Sequence, residues 1–215
     1  MECKKPAGQR TATPAATRRS GRRGRRKFVY NVPRPSRFSL RAAPASMIRP
    51  ILRYGADTLH AATVEVEVID REVQTLIDDM IETMYAAPGV GLAAPQVGVA
   101  RRLFVADPSS GQSGNDLVVL INPSVVEASG AQREEEGCLS LPGFTARVPR
   151  PARIVLEGLD RDGGAVRLEG DGLLARVFQH EVDHLDGALF VDRLHGIRRD
   201  LIVRRVRKLQ RTGKW

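Results

Sequence analysis

The sequence predicts an α+β domain in which mixed or antiparallel strands pack around a central helix, followed by a basic C-terminal helix. Three observations lead there. Apolar residues recur at helical spacing over 73–84. Short apolar runs separated by polar or glycine-bearing turns occupy 103–168, and a second helical run, LLARVFQHEVDHL, follows Asp171. Strands in the middle of a chain with helices on either side suit a layered α+β architecture.

The first helix starts after Asp70, a good N-cap. Val73, Leu76, Ile77, Met80, Ile81 and Met84 form its buried stripe, and Pro88-Gly89 end it. PGVGLAAPQVG reads next as a turn region. Leu103–Ala106 and Leu117–Ile121 read as strands around a polar loop at 107–116, and Ser124–Ala128 as a further short strand. Ile154–Leu159 and Val166–Leu168 flank a hairpin turn at Asp160–Gly164. The second helix begins near Asp171 and stops at Gly187.

Composition excludes several classes. The 215 residues allow one domain or two small ones, and 42% hydrophobic residues can build a core, which rules out wholesale disorder. No uninterrupted apolar run reaches roughly eighteen residues, so a membrane-spanning helix is not expected. Cys3 and Cys138 give no disulfide framework, and a reducing compartment fits.

The formal charge of +9 is unevenly placed. Residues 1–46 hold 13 Lys/Arg and one acid, and residues 193–215 hold 9 Lys/Arg and one acid, whereas the body at 47–192 holds 12 Lys/Arg and 23 acids. The body is therefore acidic, and basicity alone does not make it a nucleic-acid binder. The extension 1–46 is rich in Arg, Ser, Pro and Ala without helical or strand period, so disorder is expected. It lacks the apolar run of a secretory signal. Three readings remain open: an organellar transit peptide, an arm touching nucleic acid, or an inert extension ahead of a working start at Met47.

The chemistry lies in QHEVDH. His180 and His184 are four apart on one helix, so both rings leave one face about a turn apart and can hold one metal ion. Leu173 and Val177 share roughly that stripe, which turns the histidines inward. Glu181 is about 100° around the helix; it reaches a water on the ion more readily than the ion itself. Two imidazoles beside a carboxylate suit metal-assisted hydrolysis. A hydrolytic metal usually has three protein ligands and an open position. No downstream His or Glu stands at the spacing of the zinc peptidases, and His195 lies near the basic tail. Cys138, alone in a body otherwise free of cysteine, is the better third ligand; a buried structural thiol is the plain alternative. The central helix of the expected fold is thus a metal-binding helix.

Three segments in order, GVGLAAPQVG at 89–98, EGCLS at 136–140 and QHEVDHLDG at 179–187, resemble the peptide deformylase family, and MIRPILRYG at 47–55 is similar to the usual start of such enzymes. The resemblance covers about 47–195, and the extension 1–46 has no counterpart in typical bacterial members. It implies removal of the formyl group from N-formylmethionine of nascent polypeptides, releasing formate. It implies one divalent ion, Fe²⁺ expected with Zn²⁺, Ni²⁺ or Co²⁺ able to occupy the site, held by Cys138, His180 and His184. Glu181 would be the acid/base, and Gln96 and the Leu139 N–H the oxyanion donors. Gly89 and Gly91 would let the substrate backbone approach closely and pair as an added strand, and Val90, Leu139 and Leu173 would wall its methionine pocket. Glu136 and Arg150 form a structural ion pair or remain two solvated charges.

Residues 195–211 read as a basic amphipathic helix with Ile197, Leu201, Ile202, Val206 and Leu209 approximating one face. The resemblance implies ribosome contact through it; a domain-covering helix with a solvated cationic face is the alternative. A cytoplasmic bacterial location is expected, or an organelle stroma or matrix if 1–46 is a transit peptide. Competing functions are an HExxH-type metallopeptidase and a ribosome- or RNA-binding protein with a structural metal.

Overall fold

The computed structural model describes residues 46–113 and 116–215. The expectations for 1–46 therefore lie outside the described residues, Ser46 excepted.

Helix α1 spans Arg71–Ala86. Asp70 Oδ1 accepts the Val73 N–H at 3.0 Å, satisfying one of the orphan donors of the first turn. Val73, Leu76, Ile77, Met80 and Met84 are buried as the stripe predicts, and Ile81 is half-buried.

The region read as a turn holds strand β1, Gly91–Ala93, and a 3₁₀ turn, Ala94–Val97, that carries Gln96. Three residues carry no readable period. The strand exists through its partner β2, Leu103–Ala106, with Gly91 opposite Ala106 and Ala93 opposite Phe104.

β3, Val118–Ser129, runs through both pieces expected at 117–121 and 124–128. The interruption survives as a register shift between Ile121 and Ser124, with Asn122 at φ 51°. The Asn122 amide holds this distortion by accepting the Val66 N–H at 2.8 Å and donating to the Val66 carbonyl at 2.9 Å.

β4, Gln132–Gly137, and β5, Thr145–Arg150, form a separate two-stranded sheet that the sequence did not announce. Along β4 the only buried residue is Glu136, so the usual apolar alternation is missing. β6, Arg153–Leu159, and β7, Ala165–Asp171, form the expected hairpin. They complete a five-stranded antiparallel sheet of order β1-β2-β3-β6-β7.

Helix α2, Gly172–Leu185, lies between the two sheets. Ala175, Phe178 and Val182 pack on the larger sheet, where Phe178 meets Phe104 with ring centroids 5.9 Å apart. On its other side Asp183 meets Arg150 of β5 at 2.6 Å. Gly187, at φ 75°, turns the chain just past the helix end, as expected of a C-terminal glycine. Leu173 corrects the inward stripe: it is 45% exposed, because the first turn of α2 stands at the rim of a cavity.

Helix α3 spans Ile197–Arg211. Its covered face differs from the expected one. Val203 and Val206 are buried and Ile202 and Leu209 half-buried, whereas Ile197 and Leu201 are exposed. At about 100° per residue, 202, 203, 206 and 209 gather on one side, and 197 and 201 fall on the opposite side. The five apolar residues do not share one stripe, and Val203 supplies the missing member.

Candidate functional site

One cavity of about 460 Å³ opens between β1, the turn after β4 and the first half of α2. Gly89, Val90, Gly91 and Gln96 line one wall, Cys138 and Leu139 another, and Leu173, His180 and Glu181 the helix side. The remaining predicted residue, His184, is fully buried behind them.

Cys138 Sγ lies 3.2 Å from His184 Nε2, and the ligand atoms of Cys138, His180 and His184 all fall within 4.8 Å of one another. A cation bonded to sulfur at about 2.3 Å and to nitrogen at about 2.1 Å needs donors spaced on that scale. The donor set of Cys138, His180 and His184 fits one divalent ion. Burial and the nearby charges of His180 and Arg150 push the His184 pKa well down, which favours the neutral ring a ligand must be. Burial also disfavours a charged His180, but hydrogen bonding to Cys138 and Glu136 outweighs it and raises that pKa. A bound cation competes with that proton.

His180 Nδ1 faces Glu136 Oε2 at 3.2 Å, which leaves Nε2 for a ligand role. Glu136 is itself held by Arg150, with both contacts at 2.9 Å. Of the two readings of that pair, the ion pair is the one realised, and both residues are buried. Arg150 reaches on to Asp183 at 2.6 Å, and Arg193 binds the same carboxylate. Burial works against the Glu136 carboxylate, yet hydrogen bonds from His180 and Arg150 hold its pKa near about 2. Sequence reading missed this network beyond the Glu136–Arg150 pair. Glu134-Glu135-Glu136 looks like a solvated run, and only the inward turn of its last member singles it out. Arg150→Ala leaves Glu136 without its guanidinium in the interior. A loss of about 3–5 kcal/mol is expected, read from the urea midpoint; an unchanged midpoint overturns the structural role.

Glu181 is 3% exposed, and its Oε2 has no hydrogen-bond partner among the described residues. Burial pushes its pKa to about 7; the His180 charge opposes this, and the charges of Asp183 and Glu136 add to it. A buried carboxylate with a raised pKa and an unpartnered oxygen beside a donor cluster has the properties of a candidate general base. Gly91 makes room for it: a Cβ there would stand 2.3 Å from Glu181 Oε1.

Gln96 is fixed at both ends of its amide. Oε1 accepts the Ala93 N–H at 2.9 Å; Nε2 donates to Ser140 Oγ at 3.2 Å and faces Cys138 Sγ at 3.6 Å. The donor end thus points along the Cys138 loop, beside the cavity. Ser140, missed by sequence reading, sets that orientation.

Residues 48–200 match the family model described as Polypeptide deformylase. A peptide deformylase of Acidobacterium capsulatum is 46% identical over 169 residues, covering 79% of this chain and 99% of that protein. The crystal structure of a Legionella pneumophila peptide deformylase superposes with a TM-score of 0.72 at 43% identity, over 77% of this chain and 97% of that one. The Ehrlichia chaffeensis peptide deformylase solved with actinonin gives 0.71 at 37% identity, over 77% and 99%.

Proposed function

This chain belongs to the peptide deformylase family, metal-dependent hydrolases that remove formyl groups, and we propose how its own residues carry that reaction and where. The supporting observation is the meeting of one sulfur and two imidazole nitrogens within 4.8 Å, beside a buried carboxylate with an unpartnered oxygen.

Cys138, His180 and His184 would hold a divalent cation, Fe²⁺ by our reading, with Zn²⁺, Ni²⁺ and Co²⁺ able to take the same donors. Such an ion supplies Lewis acidity, making a water more acidic and polarising a carbonyl. Glu181 accepts a proton from the water as its oxygen adds to the formyl carbon. Gln96 Nε2 and the Leu139 N–H donate to the oxygen that gains negative charge; one such donor is worth about 3–4 kcal/mol. The carbon–nitrogen bond then breaks, Glu181 returns its proton to the amine, and formate leaves with a free amino terminus. Gly89, Val90 and Gly91 offer backbone to an extended nascent peptide, which leaves side chains after the methionine unread. Val90, Leu139 and Leu173 flank the methionine side chain.

Formate release from an N-formylmethionyl peptide, by chain purified without oxygen and assayed for metal, tests this reading. Cleavage of an unformylated peptide without formate release would favour a metallopeptidase instead. Actinonin, bound in the Ehrlichia relative, is expected to block formate release here. Gly91→Ala forces the Glu181 carboxylate aside. It should lower kcat/KM about a hundredfold while metal content stays constant; wild-type turnover in that variant would show that the carboxylate's placement is not critical.

The outward side of α3 carries Arg204, Lys208 and Arg211 with exposed Ile197 and Leu201. We assign this face to the ribosome, where formylated chains emerge, and the working location to the bacterial cytoplasm. Phosphate neutralisation by these cations makes co-sedimentation with ribosomes fall steeply as salt rises. Salt-insensitive binding, or none at low salt, would refute the assignment. No helix among the described residues is long and apolar enough to cross a membrane.

A further inference from the structure

The C-terminal segment does more than present charge: it reaches the wall of the cavity. Phe144 lines the cavity and is half-buried, six positions after Cys138. Trp215 meets its ring edge-on, with centroids 6.0 Å apart. The Arg205 guanidinium of α3 stands 5.8 Å from the Phe144 centroid, within cation–π range.

Trp215 is itself fixed. Its Nε1–H donates to the Tyr54 carbonyl at 3.0 Å, the Arg53 guanidinium lies 5.8 Å from its ring, and Gln210 donates to the same carbonyl at 3.2 Å. Tyr54 in turn donates its N–H to the Ser140 carbonyl at 2.8 Å. The tail is therefore tied twice to the loop bearing Cys138: through Tyr54 to Ser140, and through the Phe144 ring. Between those points the loop is anchored by buried Leu141, whose N–H donates to the Cys138 carbonyl at 2.9 Å and whose carbonyl accepts the Phe144 N–H at 3.2 Å. It turns through Gly143, at φ 79°, with nothing within 4 Å of where a Cβ would be. The Phe144 ring packs partly against the buried cluster that includes Leu141, Val148 and Phe190, and Trp215 and Arg205 hold it further.

Resting on the deformylase reading, we propose that Phe144 is a specificity-determining contact for an apolar side chain downstream of the methionine, and that Trp215 and Arg205 are positioning residues that hold its ring. Backbone pairing along Gly89–Gly91 ignores side chains, so any preference beyond the methionine needs a wall of this kind. An apolar substrate side chain laid on an aromatic ring gains from burial; a ring free to rotate gives part of that gain back in entropy. Losing the support should therefore weaken substrate binding and leave the bond-breaking step alone.

The test compares N-formylmethionine amide with a formylated tetrapeptide carrying phenylalanine at its third position, using the metal-loaded full chain. Phe144→Ala should raise KM for the tetrapeptide about fivefold to tenfold and Trp215→Ala about threefold to fivefold, with kcat and the KM of the short amide within about twofold of wild type. Trp215→Phe keeps a ring against Phe144 and should restore the tetrapeptide KM. A second readout needs no turnover. Trp215 is the one tryptophan of the chain, so the tetrapeptide should shift its fluorescence when titrated into Glu181→Gln, and that shift should vanish when Phe144→Ala is added. Unchanged tetrapeptide KM in both alanine variants, or an equal loss for both substrates, overturns the inference while the deformylase reading stands. No formate from either substrate with the metal-loaded wild type overturns both.

Discussion

Glu181→Gln is expected to keep its metal and to lose about 10⁴-fold in kcat, the upper end of what acid–base catalysis contributes. The upper end applies because one carboxylate serves twice, first as acceptor from water and then as donor to the amine. The change is sterically mild. Glu181 Oε1 packs where only a glycine fits at position 91, and an amide occupies the same volume. It is chemically severe, because an amide oxygen does not hold a proton near neutral pH. The ligand atoms of Cys138, His180 and His184 are untouched, so metal content should match wild type. Turnover within about tenfold of wild type at full metal occupancy would remove Glu181 from the proton-transfer role. Gly91→Ala probes the same carboxylate differently, moving it without changing its chemistry. The smaller loss expected there separates placement from proton affinity.

The parts of this fold that sequence reveals are those whose residues declare themselves locally. Asp70 and the stripe from Val73 to Met84 locate α1 because cap and periodicity both lie within one helix. The same holds for α2 and for the glycine that stops it. β1 was hidden because three residues become a strand only through pairing with β2. β4 and β5 were hidden because their partners are each other and much of their buried face is polar: Glu136 and Arg150 take places that apolar residues usually fill, and Val148 is the buried apolar residue of the pair. In α3 the expected stripe included Ile197 and Leu201, which face outward, and omitted Val203, which is buried.

The site divides the same way. His180, Glu181 and His184 are legible from spacing within one helix. Cys138 is 46 residues from His184, and only its solitude in the body and the ordered motifs pointed to it. Gln96 reads as an ordinary polar turn residue until Ser140 and Cys138 are seen at its donor end. Phe144 carries no sequence signal at all, since the groups that pack on its ring include Arg205 and Trp215, about sixty and seventy residues later.

Cys138→Ala is expected to empty the metal site and reduce formate release to background while the fold survives. Structural zinc sites of four ligands bind with about 10–16 kcal/mol, so a single ligand carries roughly 2.5–4 kcal/mol if the total is shared evenly. That corresponds to about two to three orders of magnitude in affinity, enough for dialysis to strip the ion at micromolar protein. The sulfur is worth more than an even share, because a thiolate would be the only anionic member of the set. The cost to the fold is small by comparison. Cys138 is half-buried at a cavity wall, where the space left by one sulfur opens to solvent, and Ala leaves intact the backbone bond from Leu141 N–H to the carbonyl of residue 138. The two effects therefore separate in one experiment: metal by elemental analysis and stability by urea unfolding in excess chelator, where wild type and variant should agree within about 1 kcal/mol. Full metal occupancy in Cys138→Ala would mean that the ion is held by other groups. The sulfur–nitrogen–nitrogen centre, and every role assigned around it, would then have to be given up.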